Sequence, residues 1–470
     1  MKLSDILASL PPVRAIADAQ GNIRKQLKES GKHLVVVDDD PTGTQTVHGV
    51  MVYTDWSIKE LSQALTSEEP VFYISTNSRS LKRKQAEELN YQLGRDLTEA
   101  AKLQNKEVII ASRSDSTLRG HFPHEVEAIL SGLGWKDVDG IILLPAFFEG
   151  GRYTINDIHW VDEGERIVSA EKTEFARDPV FGYKHGNLRL WVEEKTGGRV
   201  KAEEVPSISL ETIRQGGPEA VAEELMCVEG CLPVIVNAAC YRDLEVFVLG
   251  LLSAESKGKR FIYRCAASFV KARGGFPDKG LLTCEELKAG KGPGLIVVGS
   301  YVEKTSRQLA CLLDSHLGIG VELRVEKLLE AGERNSEIRF VVGEVNKYLS
   351  RGKLVAVYTS RDKKIDGEKH FLEIGRVIMS SLCRVVEGIK ASPGFLVAKG
   401  GITSIEIARS ALGVKKSLVL GQIVPGVPVW RLGAESRWPG IPYVVFPGNV
   451  GDERTLSRVV TVFKKQEKEG

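Results

Sequence analysis

No stretch of the 470 residues approaches the roughly 18–20 consecutive apolar residues that a membrane-spanning helix requires, so no membrane partner is expected. Cysteine is sparse: seven residues, an odd number, with no Cys-x-x-Cys pair. The group Cys227, Cys231 and Cys240 has neither zinc-type spacing nor a neighbouring histidine, so scattered reduced thiols are expected and no metal ligands are assigned. Neither charge is in surplus, since 64 Lys and Arg face 62 Asp and Glu for a formal charge of +2. That balance excludes nucleic acid as the main partner, because phosphate backbones call for an excess of Lys and Arg. Lys82-Arg83-Lys84 and Lys464-Lys465 are short and read as solvated surface. Histidines are thinly spread: His121 and His124 flank Phe122-Pro123, while His48 and His159 stand alone, so polar or capping roles are expected of them. A Walker A sequence is missing, as is Gly-x-Gly-x-x-Gly after the first apolar run, which leaves a P-loop ATPase and a dinucleotide fold unsupported. The opening Met-Lys-Leu-Ser-Asp-Ile-Leu-Ala has an early Asp5 and no apolar core, so a secretory leader is not expected and the cytoplasm is.

What is present in quantity is the short β-branched run. Leu34–Val37, Val71–Ile74, Val108–Ile110, Ile141–Leu144, Val234–Val236 and Phe261–Tyr263 form a first series. Leu295–Val298, Leu354–Tyr358, Phe395–Ala398, Ser417–Leu420 and Tyr443–Phe446 form a second. Continuous apolar runs of this length suit strands buried on both faces, and they alternate with helical patterns such as Ser78–Leu97 and Glu125–Leu133. The expected class is α/β, with two domains, each a mostly parallel sheet with helices on both faces. Between the two series, Lys271–Gly294 holds six glycines and two prolines and suits a linker. The domains are therefore expected over residues 1–275 and 290–470. Gly182–Gly217 is polar and poorly patterned and reads as an excursion between strands.

In open α/β sheets, ligands sit beyond the carboxyl ends of the strands, so the residues after each run carry the functional reading. After the first run stands Asp38-Asp39-Asp40-Pro41-Thr42-Gly43-Thr44-Gln45. Three adjacent carboxylates repel one another unless a cation or a ligand's hydroxyls join them, although Asp and Gly here also suit a helix cap and a turn. The second run ends in Ser75-Thr76-Asn77-Ser78-Arg79, the third in Ser112-Arg113-Ser114-Asp115-Ser116-Thr117-Leu118-Arg119-Gly120, and the fourth in Pro145-Ala146-Phe147-Phe148-Glu149-Gly150-Gly151-Arg152. Arginine forks suit a carboxylate, and Asp and Ser suit sugar hydroxyls. Four strand ends thus point to one ligand type: small, polyhydroxylated and anionic. Any single loop of this kind is also what surface salt bridging looks like. The second half has a different accent, with Gly299-Ser300, Thr359-Ser360-Arg361, Gly400-Gly401-Ile402-Thr403 and Pro447-Gly448-Asn449-Val450-Gly451. Backbone N–H groups of such turns can hold phosphate, though glycine turns are common everywhere.

These residues resemble the four-carbon acid sugar kinase family over nearly the whole chain. Asp39-Asp40-Pro41-Thr42-Gly43 is similar to the family's opening motif, and Asp115-Ser116-Thr117-Leu118-Arg119-Gly120 matches a long, specific segment of it. Pro145-Ala146-Phe147, Gly151-Arg152, Phe175-Ala176-Arg177-Asp178-Pro179 and Tyr263-Arg264 with Ala266-Ala267 follow in the family's order. So do Gly299-Ser300 with Thr305 and Gln308, Gly400-Gly401-x-Thr403, Pro425-Gly426-Val427-Pro428 and Gly448-Asn449-Val450-Gly451. Two departures stand out. Val302 replaces the second serine of the family's Gly-Ser-x-Ser, and Phe446-Pro447-Gly448-Asn449-Val450-Gly451 replaces Lys-Ser-Gly-Asn-Phe-Gly, without the lysine. The opening Asp38–Gln45 run also differs from the family's plainer Asp-Asp-Leu-Thr-Gly-Ala.

The resemblance implies a sugar-acid-binding N-terminal domain, a nucleotide-binding C-terminal domain, and ATP and Mg2+ as cofactors. It implies phosphorylation of a four-carbon sugar acid, with 3-oxo and branched acids inside the wider family. Ser300, Gly400, Gly401, Ile402, Thr403 and Gly448 would contact ATP. Asp39, Thr42, Arg79, Ser116, Arg119 and Arg152 would bind the acid, with its carboxylate on Arg79, Arg119 or Arg152. Asp40 or Asp115 would orient and deprotonate the attacking hydroxyl, with in-line transfer between the two domains. A homodimer is compatible with this reading. Two alternatives stay open: a sugar-acid sensor derived from such a kinase, and an ATP-dependent ligase that activates the carboxylate.

Overall fold

The computed structural model describes residues 2–164, 166–360 and 371–464; Arg361 and Lys465 lie outside them. In chain order the strands are β1 (His33–Asp38), β2 (Met51–Tyr53), β3 (Val71–Ser75), β4 (Val108–Arg113), β5 (Gly140–Leu144), β6 (Arg152–Ile155), β7 (Ile158–Asp162), β8 (Ile167–Ser169) and β9 (Ser207–Ile208). They continue with β10 (Leu232–Val236), β11 (Phe261–Cys265), β12 (Gly294–Val298), β13 (Ile319–Leu323), β14 (Val355–Thr359), β15 (Phe395–Lys399), β16 (Lys416–Val424), β17 (Val427–Leu432) and β18 (Pro442–Phe446). The chain divides into two compact units, Met1–Val47 with Trp56–Asp278, and His48–Asp55 with Lys279–Gly470.

In the first unit the strands run β3-β1-β4-β11-β5-β10-β9, and every pairing is parallel. β1, β3 and β5 are buried at every position, as strands covered on both faces must be. The long helix Arg83–Gln104 lies on the helix His124–Leu133 at a contact where Gly94 and Gly132 meet backbone. A Cβ on Gly94 would come within 2.6 Å of the Ile129 carbonyl, so only glycine lets the two helices lie this close. A separate antiparallel sheet, β6-β7-β8, rests on a small cluster of Ile6, Ile155, Ile167 and Leu210. The stretch read as an irregular excursion folds in part: a helix spans Leu188–Lys195, and β9 joins the edge of the parallel sheet.

The second unit is parallel over β13-β14-β12-β15-β18 and antiparallel over β17, β16 and β2. Its core gathers Ile296, Val298, Leu312, Val397, Val444, Phe446 and Val460 between sheet and helices. The α/β reading with mostly parallel sheets holds in both units. Among the described residues no helix is long and apolar enough to cross a membrane, and none of the seven cysteines is joined in a disulfide.

Candidate functional site

Strand order fixes where ligands can enter. In the first unit the chain runs from β1 to β3 on one side, then returns to β4 on the other, so the order reverses between β1 and β4. In the second unit it runs from β12 outward to β13 and β14, then to β15 on the opposite side, so the order reverses between β12 and β15. At such points the helices diverge to opposite faces and leave a crevice beyond the carboxyl ends. The loop residues picked out from the sequence follow strands at or beside these two crevices, apart from Arg361, which lies outside the described residues.

At the β1/β4 crevice the carboxylates are shared among arginines. Asp38 pairs with Arg113 at 3.1 Å, both buried. Burial outweighs Arg113 and the neighbouring aspartates add to it, so the Asp38 carboxyl is pushed up to about 7. A Cβ on Gly43 would overlap this carboxylate, which explains a glycine in the turn that follows. Asp39 accepts from the Ser114 hydroxyl, and its Oδ1 is buried without a hydrogen bond. Burial raises its pKa as well, against the pull of Arg79. Asp40 caps the 3-10 turn Pro41–Thr44, accepting from the Thr42 N–H at 2.8 Å and the Thr42 hydroxyl at 2.5 Å, and it pairs with Arg79. Burial would raise Asp40, but Arg79, Arg113 and Thr42 together hold it below the usual carboxylate range. Arg79 also lies 3.7 Å from Asp115 and 3.9 Å from Asp39, so one guanidinium links all three carboxylates.

The loop after β4 completes the cluster. Asp115 accepts from Arg119 Nε at 2.6 Å and from the Thr117 hydroxyl. Burial opposes ionisation there, yet Arg119 and Arg79 prevail and keep Asp115 well below its ordinary value. Arg119 reaches Asp178 at 3.5 Å and lies over the Phe175 ring at 5.0 Å. Arg152 shares that ring at 5.9 Å. Its Nε is buried without a hydrogen bond, and no carboxylate of the described residues lies within ion-pair distance. Ser116 is placed by its carbonyl, which meets His159 Nε2 at 2.7 Å. Burial lowers His159 to about 4, so this ring is a neutral prop. Gly120 adopts φ 133°, and a Cβ there would stand 2.6 Å from the Ser114 hydroxyl. Asp39, Asp40, Thr42, Arg79, Asp115, Ser116, Arg119 and Arg152 are thus gathered in one crevice of the first unit.

At the β12/β15 crevice the chemistry is that of small residues. Gly400 adopts φ 120°, and a Cβ there would lie 3.1 Å from the Ser300 Cβ. On Gly448 it would lie 2.8 Å from the Ser300 hydroxyl, and on Gly299 2.5 Å from Thr403 Oγ1. Three glycines therefore open a space around Ser300 and Thr403 that any side chain would fill. Thr305 donates to the Gly448 carbonyl at 2.9 Å, and Gln308 to the carbonyls of Val450 and Asp452 at 3.0 and 2.8 Å, which fixes the final turn. Gly401 opens the helix Gly401–Glu406, and Ile402 exposes its side chain to solvent, leaving its backbone as the part that can face a ligand.

Residues 34–273 match the family described as a sugar-binding N-terminal domain, and residues 295–456 the one described as a nucleotide-binding C-terminal domain. The chain belongs to the four-carbon acid sugar kinase family. Membership makes it a phosphotransferase of the sugar-acid kinase type. It is 26% identical over 449 residues to the D-erythronate kinase of Heliobacterium modesticaldum, covering 89% of this chain and 94% of that protein. It is also 26% identical over 330 residues to the 3-oxo-tetronate kinase of Cupriavidus necator, covering 67% and 70%. Among solved structures, a Haemophilus influenzae protein superposes with TM-score 0.62 at 18% identity, over 91% of this chain and all (100%) of that one. A Salmonella typhimurium LT2 protein described as a tRNA synthase superposes with TM-score 0.65 at 17% identity, over 91% and 98%; at that identity the likeness is one of fold.

Within this family frame several supporting residues had no role assigned from sequence. Arg113 closes β4, and the β1/β4 register is what sets it against Asp38. Glu125 and Arg264 form a buried ion pair of 2.8 Å beneath the Arg119 carbonyl, and 139 positions separate them along the chain (264 − 125 = 139). Phe175 and Asp178 belong to the Phe175–Pro179 family block, and the fold is what sets them against Arg119.

Proposed function

We propose that this protein is an ATP-dependent kinase that phosphorylates a hydroxyl of a four-carbon sugar acid, including 3-oxo and branched acids, by in-line transfer. The reading rests on one observation above all: four arginines (Arg79, Arg113, Arg119 and Arg152) and four aspartates (Asp38, Asp39, Asp40 and Asp115) share the crevice beyond β1 and β4, and Arg152 alone of those arginines has no carboxylate partner among the described residues. The acid's carboxylate would go to Arg152, since Arg79 and Arg119 already balance aspartates. Asp40 and Asp115 are both held ionised, so either can accept a hydrogen bond from the acceptor hydroxyl and aim its oxygen. Aiming is the main task, because phosphoryl transfer draws most of its catalysis from position and charge. Asp39 and Ser116 would complete the hydroxyl contacts, and Thr42 holds Asp40 in place.

The second crevice fits a nucleotide because its glycines leave the space a polyphosphate needs. Ser300, Gly400–Thr403 and Gly448 would hold ATP, which when bound supplies the transferred phosphoryl group. Among the described residues no group of three or more His, Cys, Asp or Glu is placed to hold a metal ion. Mg2+ would accompany the nucleotide, bound to its phosphates and neutralising their charge. The test is ADP release with Mg-ATP across a panel of four-carbon, 3-oxo and branched sugar acids. Turnover on one member is expected. ATP-independent binding of an acid, with no ADP formed from any of them, would overturn the kinase reading in favour of a sensor.

A further inference from the structure

Lys399 ends β15 and stands level with Val298 of β12 and Phe446 of β18 in the parallel register. Its side chain is completely buried. Nζ donates to the Pro447 carbonyl at 2.5 Å, has the Gly448 carbonyl at 3.4 Å, and lies 3.7 Å from the centre of the Phe446 ring. No carboxylate of the described residues pairs with it. An amine buried without a counter-ion is costly, and a methionine would fill the same volume without that cost. Both carbonyls the amine meets belong to the turn whose Gly448 borders the glycine cradle.

Among the described residues the surroundings are poor in charge. Lys304, on the helix Glu303–Asp314, donates to the Asn449 carbonyl at 3.2 Å and repels the amine. β12 and β18 contribute Val298 and Phe446, the first turn of the helix Gly401–Glu406 brings only Thr403 and Ser404 hydroxyls, and residues 447–451 carry no ionisable side chain. Asp452 beyond them is engaged by Arg458 and Thr455. The family pattern puts a lysine where Phe446 stands; here the lysine is one strand over, at the same level of the sheet.

We propose that Lys399 supplies the positive charge for the nucleotide site, acting as a positioning residue that pins the Pro447–Gly448 turn and faces an incoming polyphosphate through it. The proposal rests on the nucleotide-binding reading of the second crevice. Burial first, and Lys304 second, lower the free amine to about 6, so at pH 8 it is largely neutral. An arriving polyanion favours the charged form, and the amine takes its proton from the buffer.

Calorimetric titration of Mg-ATP into the full-length protein at pH 8, in two buffers of different ionisation enthalpy, counts that proton. Uptake of about one proton per nucleotide is expected for the native protein. Lys399→Met should show none, bind nucleotide at least about tenfold more weakly, and keep its affinity for the sugar acid. Nucleotide binding without uptake in the native protein, or uptake that survives in Lys399→Met, would overturn the proposal and leave the nucleotide reading intact. Failure of the native protein to bind Mg-ATP would overturn both. The native count needs no variant, so a misfolded substitution cannot shield the idea.

Discussion

Both units open a crevice where the strand order reverses, and they line it with opposite chemistry. The first fills the β1/β4 crevice with long charged side chains that neutralise one another, so that Arg79 alone touches Asp39, Asp40 and Asp115. The second lines the β12/β15 crevice with glycines and hydroxyls and keeps a cation, Lys399, buried behind the surface. A small polyhydroxylated anion needs directional partners for each oxygen, and side chains provide them. A polyphosphate needs many N–H groups at close range, and bare backbone provides those. The contrast implies that substitutions in the first unit should alter acid recognition and chemistry, and those in the second nucleotide affinity.

The largest effect is expected from removing the carboxylate that aims the acceptor. Asp40→Asn or Asp115→Asn should lower kcat by about 10²–10⁴-fold for whichever residue is the base. Steady-state ADP release measures it, and near-normal kcat in both variants would remove both from the chemistry. Arg152→Ala comes next. Losing a charged hydrogen-bond pair of about 1.5–3 kcal/mol should raise KM for the acid roughly 10–100-fold with KM for ATP unchanged. Arg79→Ala offers the contrast: it strips three aspartates of their shared counter-ion, so the thermal midpoint should fall as well. In the second unit, Gly400→Ala forces a side chain into φ 120° against Ser300, a strain of about 1–3 kcal/mol. KM for ATP should rise about tenfold while KM for the acid stays put, and a change in the acid's KM instead would break the division of labour.

How much of this could be read from the sequence follows from burial. β1, β3, β5, β12, β15 and β18 are buried at every position because both faces are covered, and the apolar run within each was legible. β7 and β13 expose alternate positions, and β2 and β9 span three and two residues, so their patterns could not be told from loops. The first crevice was legible for the same reason as its strands, since its charged residues follow apolar runs directly. Lys399 was not, because a single lysine at the end of Phe-Leu-Val-Ala-Lys looks like the strand's polar terminus. Its meaning lies in the register with Phe446, and register between strands 47 positions apart (446 − 399 = 47) is a property of the sheet. His159 shows the same limit: an isolated histidine in sequence becomes the prop of Ser116 only when β7 is placed.

The smallest effect tests the comparison through stability. Asp38 holds its proton up to about 7 in the folded protein, against 3.8 ordinarily, because burial disfavours its charge. Between those values the folded state binds more protons than the unfolded one, so Asp38 makes stability fall as pH rises, by at most about 1.4 kcal/mol per pH unit. Lys399 has the opposite sign. Its folded value near 6 lies below the ordinary 10.5, so the unfolded state binds more protons between them, and stability should rise with pH across that window. The two slopes oppose each other between about pH 6 and 7 and separate outside it. Chemical denaturation from pH 5 to 9 should therefore show a fall that Asp38→Asn flattens and a later rise that Lys399→Met flattens. Lys399→Met should also be more stable than the native protein at pH 7 without nucleotide, since it no longer neutralises a buried amine in order to fold. If it is less stable there, the carbonyl contacts of Lys399 outweigh its burial, and the second unit carries its cation for the fold as much as for the ligand.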